Sequence, residues 1–284
     1  MALPEVHPAN AENAAAWNGD EGGYWAEEDR RFNAWVARYD APFFAATGIE
    51  PTDRVLDIGC GTGQTTRAAA NAAVDGTAFG VDVSMPMVEV ARKRTAEEGI
   101  SNASFEAGDA QIYAFAEDAC DVVISRYGSM FFADAAAAYT NFGKAVRPGG
   151  RVAMLVWRPL VENEWMSEFR RVAAAGRELP TPPPNAPGPF AFADPEYTNT
   201  VLTGAGFVDV QSTPIDAPVY MGSDADEAYT FLCGMGFVKF MLNSLGEDAR
   251  ARTCDDLRAS IEAHAGPEGV FYDSAAWLVT ARRT

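Results

Sequence analysis

Val55-Leu-Asp-Ile-Gly-Cys-Gly-Thr-Gly63 decides how this chain is read. An apolar run ends in a loop with glycine at 59, 61 and 63, and Gln64-Thr-Thr66 then opens a helix-forming stretch. Glycines let the backbone turn tightly and let a ligand approach main-chain atoms with no side chain between. A helix that begins at such a loop offers unpaired N–H groups and the positive end of its dipole, which suits a carboxylate or a phosphate. Alone the glycine trio says little, because strand-to-helix turns are often glycine-rich for steric reasons.

Two carboxylates sharpen it. Asp82 closes Phe79-Gly-Val-Asp-Val-Ser84, 19 residues beyond Gly63. An acid at the tip of the neighbouring strand can accept both ribose hydroxyls of an adenosine. Asp57 lies inside the first strand, two residues before the loop. An anion there disfavours a pyrophosphate and suits the ammonium of an amino acid. The dinucleotide fingerprint would also want glycine at position 64, where Gln64 stands. The loop therefore reads as a site for a zwitterion joined to a nucleoside.

On either side the pattern is regular. Strands over 54–58, 77–83, 104–106, 121–125 and 151–157 alternate with helices after Gly63, over 86–98 and over 134–146. That rhythm predicts an α/β fold, a parallel sheet with helices on both faces. Phe32, Trp35, Val36, Tyr39 and Phe43 predict a helix over 25–46, and the glycine-interrupted 17–25 no continuous helix. A helix over 164–177 leads into six prolines between 180 and 189, a stiff surface loop. A helix over 198–204, a strand over 206–212, helical stretches over 224–244 and 248–264, and a last strand over 275–281 complete the chain.

Composition narrows the function. The 22 basic and 40 acidic residues leave a net charge of −18, which repels nucleic-acid backbones and anionic lipid heads. No secretory signal and no run of ~18 apolar residues is visible. Cys60, Cys120, Cys233 and Cys254 are scattered and read as reduced thiols of a cytoplasmic protein.

These segments resemble the class I S-adenosylmethionine-dependent methyltransferases. Val55–Gly63 is similar to their first motif, Asp82 to their ribose-binding acid, and Phe105-Glu-Ala-Gly-Asp-Ala110 to their third motif. Arg147-Pro-Gly-Gly-Arg-Val152 is similar to the turn before their fifth strand. The ubiquinone/menaquinone-biosynthesis-like small-molecule subfamily is the best match. The resemblance implies a Rossmann-like, seven-stranded, mostly parallel sheet of order 3-2-1-4-5-7-6 with the last strand antiparallel. S-adenosylmethionine is the implied cofactor. Asp57, Gly59 and Gly61 would hold its methionine end with Gln64 and Thr65, Asp82 its ribose, Val83 and Met87 the adenine faces, and Asp109 and Ala110 the adenine edge. Arg126 would lie near the methionine portion. Residues 1–48 would form an N-terminal helical lid, with Trp17, Tyr24 and Trp25 closing over the cofactor. Residues 49–284 would be the catalytic domain, with 214–270 a helical insertion between strands six and seven that covers substrate.

Of the chemistry the sequence speaks mostly by absence. The sulfonium is already activated, so alignment and exclusion of water can suffice. No catalytic residue is assigned. Asp121-Val-Val-Ile-Ser-Arg-Tyr-Gly128 lacks the signature of amide N-methylation, and no carboxylate pair there suggests a metal. His7 reads as a disordered terminal residue and His264 as a surface residue. Tyr127 and Phe131, after strand four, suit a small hydrophobic or aromatic acceptor. An NAD(P)-dependent oxidoreductase, a non-catalytic S-adenosylmethionine-binding protein and aminopropyl transfer stand as rivals. The last wants a further acid pair where Ser125-Arg126 stand.

Overall fold

Seven strands form the main sheet: β1 (Arg54–Ile58), β2 (Thr77–Asp82), β3 (Ala103–Ala107), β4 (Cys120–Arg126), β5 (Val146–Trp157), β6 (Phe207–Asp216) and, last in the chain, β10 (Ala275–Arg283). The computed structural model describes residues 4–284. Spatial order is β3-β2-β1-β4-β5-β10-β6, with β10 antiparallel to both neighbours. This is the topology that the family resemblance implies. Central strands β1 and β4 are buried along nearly their whole length, as strands covered on both faces are. Strand order reverses between β1 and β4, which opens a crevice at their carboxyl ends. The loops after β1, β2 and β4 all lead into that crevice.

Four features depart from the sequence reading. The helix expected over 25–46 is broken at Glu28 and Val36, giving helices Asp20–Glu27, Asp29–Trp35 and Asp40–Thr47. The breaks let the chain bend around the sheet: Tyr39 and Phe43 enter the main core with no exposure, while Phe32 and Trp35 face the crevice. Arg94 locks the bend by clasping both oxygens of buried Asp29, at 2.8 and 2.9 Å. The stretch 17–25 is helical on both sides of Gly19, as Ala11–Asn18 and Asp20–Glu27. Thirdly, a small second sheet joins β7 (Val219–Gly222), β8 (Ala265–Gly266) and β9 (Gly269–Tyr272) in the order β7-β9-β8. It brackets helices Ala225–Gly234, Gly236–Asn243 and Glu247–Ala263. The helix expected over 224–244 is split at Met235, whose backbone is extended. The proline run is irregular, and Gly188 N–H ties it to Met130 O at 3.0 Å. Among the described residues no helix is long and apolar enough to cross a membrane.

Gly22 and Gly23 sit side by side in one helix with opposite surroundings. A Cβ on Gly22 would lie 1.8 Å from Trp17 O and 2.7 Å from Ser84 Oγ, whereas one on Gly23 meets nothing. Gly22→Ala should therefore push the N-terminal helices off the sheet and destabilise the fold by about 1–3 kcal/mol. Gly23→Ala should be neutral or stabilising by up to about 1 kcal/mol. Equal thermal midpoints for the two variants would refute this packing.

Candidate active site

The crevice is built by fastening three loops together. Gly59 N–H donates to Val81 O at 2.8 Å, and Gly61 N–H donates to Asp82 Oδ2 at 2.8 Å. The other Asp82 oxygen accepts from Ser84 N–H, also at 2.8 Å, so one carboxylate spans the turns after β1 and β2. Burial pushes its pKa up from the ordinary carboxylate value. The third loop arrives after β4. Gly59, at φ +67°, and Gly128 touch backbone to backbone: a Cβ on either would lie 2.7 Å from the other's Cα.

Asp57 lies beneath this loop, fully buried and off the cavity wall. Its Oδ2 accepts from Thr65 and Thr66 hydroxyls, both at 2.6 Å, and its Oδ1 has no partner. Burial outweighs those hydrogen bonds and pushes its pKa up to about 6. Gln64 Nε2 lies 3.4 Å from Asp40 Oδ2, and its Oε1 also lacks a partner. Arg126 donates to Asp40 Oδ1 at 2.6 Å and to Asn33 Oδ1 at 2.7 Å, so helices from the N-terminal segment fix it on the wall.

Cys60, Val83, Met87, Asp109 and Ala110 line the far end. Asp109 is already engaged: Oδ2 accepts from His7 N–H at 3.0 Å and Asn10 Nδ2 at 2.8 Å, and Oδ1 from Gln111 N–H at 3.0 Å. His7 is thereby ordered at the start of the turn Pro8–Asn10, contrary to its reading as a disordered terminal residue. Asn18 binds both Val83 O and Met85 N–H, so the first helix is stitched across the same end. His264 is off the wall, half-buried, stacked on Tyr272 at 3.9 Å and bonded to Glu164 at 3.2 Å.

The opposite end is aromatic. Trp25 stacks on Phe32 with ring centroids 3.6 Å apart, Tyr127 stacks on Trp157 at 4.1 Å, and Trp165 meets Trp35 edge-on at 4.9 Å. Phe131 meets Trp17 edge-on at 5.6 Å. Both ends form one cavity of about 430 Å³. It joins bare loop backbone, Gln64 and Asp82 at one end to aromatic rings at the other. The residues present fit S-adenosylmethionine: bare loop backbone and Gln64 would hold its methionine end and Asp82 its ribose, whereas Asp57, expected at the methionine end, lies behind the wall and reaches it only through Thr65.

Residues 55–150 match a family model described as a methyltransferase domain. Over 241 residues the chain is 29% identical to nocamycin O-methyltransferase of Saccharothrix syringae, covering 80% of this chain and 84% of that protein. It is 36% identical over 102 residues to the aklanonic acid methyltransferase DauC of Streptomyces sp. strain C5, which covers 36% of this chain and only 46% of DauC. Phosphoethanolamine N-methyltransferase 2 of Haemonchus contortus, solved with S-adenosyl-L-methionine, superposes with a TM-score of 0.59 at 18% identity, over 98% of this chain and 60% of that one.

The chain carries an S-adenosylmethionine-dependent methyltransferase domain over residues 55–150. The nicotinamide reading thereby falls away.

Several wall residues of the methyltransferase escape sequence reasoning: Asn10, Glu21, Asn33, Trp35, Trp157 and Trp165. Trp157 could have been found, since it ends β5 and β4 pairs with β5 in parallel, Arg126 opposite Leu155. Trp35 reads from its helical spacing as core packing, and only the bend after Glu28 brings it to the wall.

Two variants test the cofactor end. Asp82→Ala should weaken S-adenosylmethionine binding by about 1–3 kcal/mol, through lost charge-assisted hydrogen bonds. Calorimetric titration reads this directly, and unchanged affinity would remove Asp82 from the site. Asp57, with its folded pKa raised to about 6, favours folding when protonated. That contribution is fully present below the unfolded carboxylate pKa and is lost as pH rises through about 6. Asp57→Asn lacks the dependence, so its stability relative to the parent should rise by on the order of 3 kcal/mol between pH 4 and pH 8. A pH-independent difference in denaturant unfolding would contradict that assignment.

Proposed function

We propose that this methyltransferase methylates a small, hydrophobic or aromatic acceptor, seated against Tyr127, Phe131 and the tryptophans at the ends of β4 and β5. One observation carries the proposal: the aromatic wall opens directly into the cavity that ends on the glycine loop. The relatives named for nocamycin and aklanonic acid support it, as enzymes named for small molecules.

When bound, S-adenosylmethionine supplies an activated methyl group. The chain's own residues then bind and orient. Gly59, Gly61, Gln64, Thr65 and Arg126 hold the methionine end, with Asp57 fixing Thr65 from beneath, and Asp82 holds the ribose. Val83, Met87 and Ala110 enclose the adenine, with Asp109 fixing the chain around it. The rings exclude water from the transfer.

In the same proposal the N-terminal segment (1–48) and the 214–270 insertion act as a joint cover. Tyr24 OH donates to Phe231 O at 2.9 Å, and Arg31 donates to Glu227 O at 2.7 Å. Side chains on Gly234 and Gly236 would run into Tyr24 and Glu21, so both glycines make room for the N-terminal helix. Trp25, bonded to Glu21 at 2.9 Å, faces the cavity from that helix.

A panel of apolar aromatic and strongly polar acceptors, assayed for S-adenosylhomocysteine release, tests the reading. Turnover should follow the apolar aromatic members. Tyr24→Ala should raise the acceptor KM by about tenfold while cofactor affinity changes by less than about twofold. Turnover confined to polar acceptors would sink the acceptor class, and an unchanged KM would sink the joint cover.

A further inference from the structure

One asparagine joins the N-terminal turn to two loops of the sheet. Asn10 ends the turn Pro8–Asn10, is only 4% exposed, and lines the cavity together with Asp109 and Ala110. Both of its amide N–H groups go to the turn after β3, to Asp109 Oδ2 at 2.8 Å and to Gln111 Oε1 at 3.0 Å. Its oxygen accepts from Ala133 N–H at 2.8 Å, in the loop after β4. Gln111 Oε1 repeats the link by accepting from Asp134 N–H at 3.3 Å. None of these contacts of Asn10 is local, since it lies 99 positions from Asp109 and 123 from Ala133.

A carboxylate offers two lone pairs on each oxygen. On Asp109 both pairs of Oδ2 are filled, by Asn10 Nδ2 and by His7 N–H at 3.0 Å. Oδ1 has one filled, by Gln111 N–H at 3.0 Å. Among the described residues this leaves one acceptor position, on a carboxylate that lines the cavity. Turning Asp109 to present Oδ2 instead would break both bonds to the N-terminal turn. A site built to accept one N–H rejects a ligand that lacks it, because its own polar group is then left unpaired. Around that position Val83, Met87 and Ala110 are apolar, so a nucleobase seated there meets a hydrogen-bonding group in Asp109.

We propose that Asn10 is a positioning residue for the nucleobase: with His7 N–H it closes Oδ2 of Asp109 and leaves the open lone pair of Oδ1 to the 6-amino group of adenine. The N-terminal turn thereby takes part in base selection, which the loops of the sheet do not complete alone. This rests on the reading of Val83, Met87 and Ala110 as the adenine end. The test titrates the full chain with adenosine and with purine riboside, which lacks only the 6-amino group, each in competition with S-adenosylhomocysteine. The parent should prefer adenosine by at least about tenfold. Asn10→Ala should cut that preference below about threefold while purine riboside affinity stays within about twofold of the parent's. A purely structural loss would weaken both nucleosides alike. Asp109→Ala should abolish the preference, and Asn10→Ala added to it should have no further effect, because Asn10 acts through that carboxylate. Should Asn10→Ala unfold at the titration temperature, Asn10→Ser carries the same expectation in the same titration. An unaltered preference in the Asn10 variant, equal losses for both nucleosides, or additive losses in the double variant overturns the proposal. Failure of the parent to bind S-adenosylhomocysteine would strike the cofactor end itself, and this inference with it.

Discussion

Asp82 holds the site together. One oxygen of its carboxylate accepts from the turn after β1 and the other from the turn after β2, so the two strand ends are tied before any ligand arrives. The remaining lone pairs are what a ribose would meet. The tie also sets the N-terminal segment. Ser84, whose N–H bonds Asp82, gives its hydroxyl to Trp17 O at 2.6 Å. Gly22 packs into the same corner with no room for a Cβ. Strand ends, helix cap and lid helix thus share one small polar knot, and displacement at any of them is felt by the others.

Asp57 shows the opposite economy. It is wholly buried, half-satisfied by two threonines and pushed towards protonation. A structural carboxylate would be expected to find partners for both oxygens, because a buried lone pair without one is costly. Oδ1 has none and faces no part of the cavity, so its cost is carried by the fold and pushes the carboxyl towards protonation.

What the sequence disclosed and what it hid follow from distance along the chain. Strands β1 to β5, the glycine loop and Asp82 were legible because each is a local pattern: apolar run, turn residues, acid at a strand tip. The order of the last two strands came from family resemblance, since no local signal places β10 between β5 and β6. The hidden features are all long-range. Asp109 is bound by Asn10 across 99 positions, and Gly59 abuts Gly128 across the sheet. Trp35 reaches Trp157 and Trp165 because the N-terminal helix breaks at Glu28, where buried Asp29 begins its pairing with Arg94. The second sheet escaped notice because its strands have only four, two and four residues, too short for alternation to register.

The same long-range contacts explain why acceptor chemistry is harder to read than cofactor chemistry. The cofactor half is made by consecutive turns of one sheet, so its residues keep fixed spacings. The acceptor half is assembled from four separate pieces: helices Asp20–Glu27 and Asp29–Trp35, the ends of β4 and β5, helix Glu164–Ala173, and the Met235–Phe237 corner of the insertion. Tyr24 and Glu21 join the first piece to the last, through Gly234 and Gly236. Because neither piece is part of the sheet, both can change in sequence without disturbing Asp82 or the glycine loop. A fold arranged this way can keep one methyl donor while the pieces that cover it change.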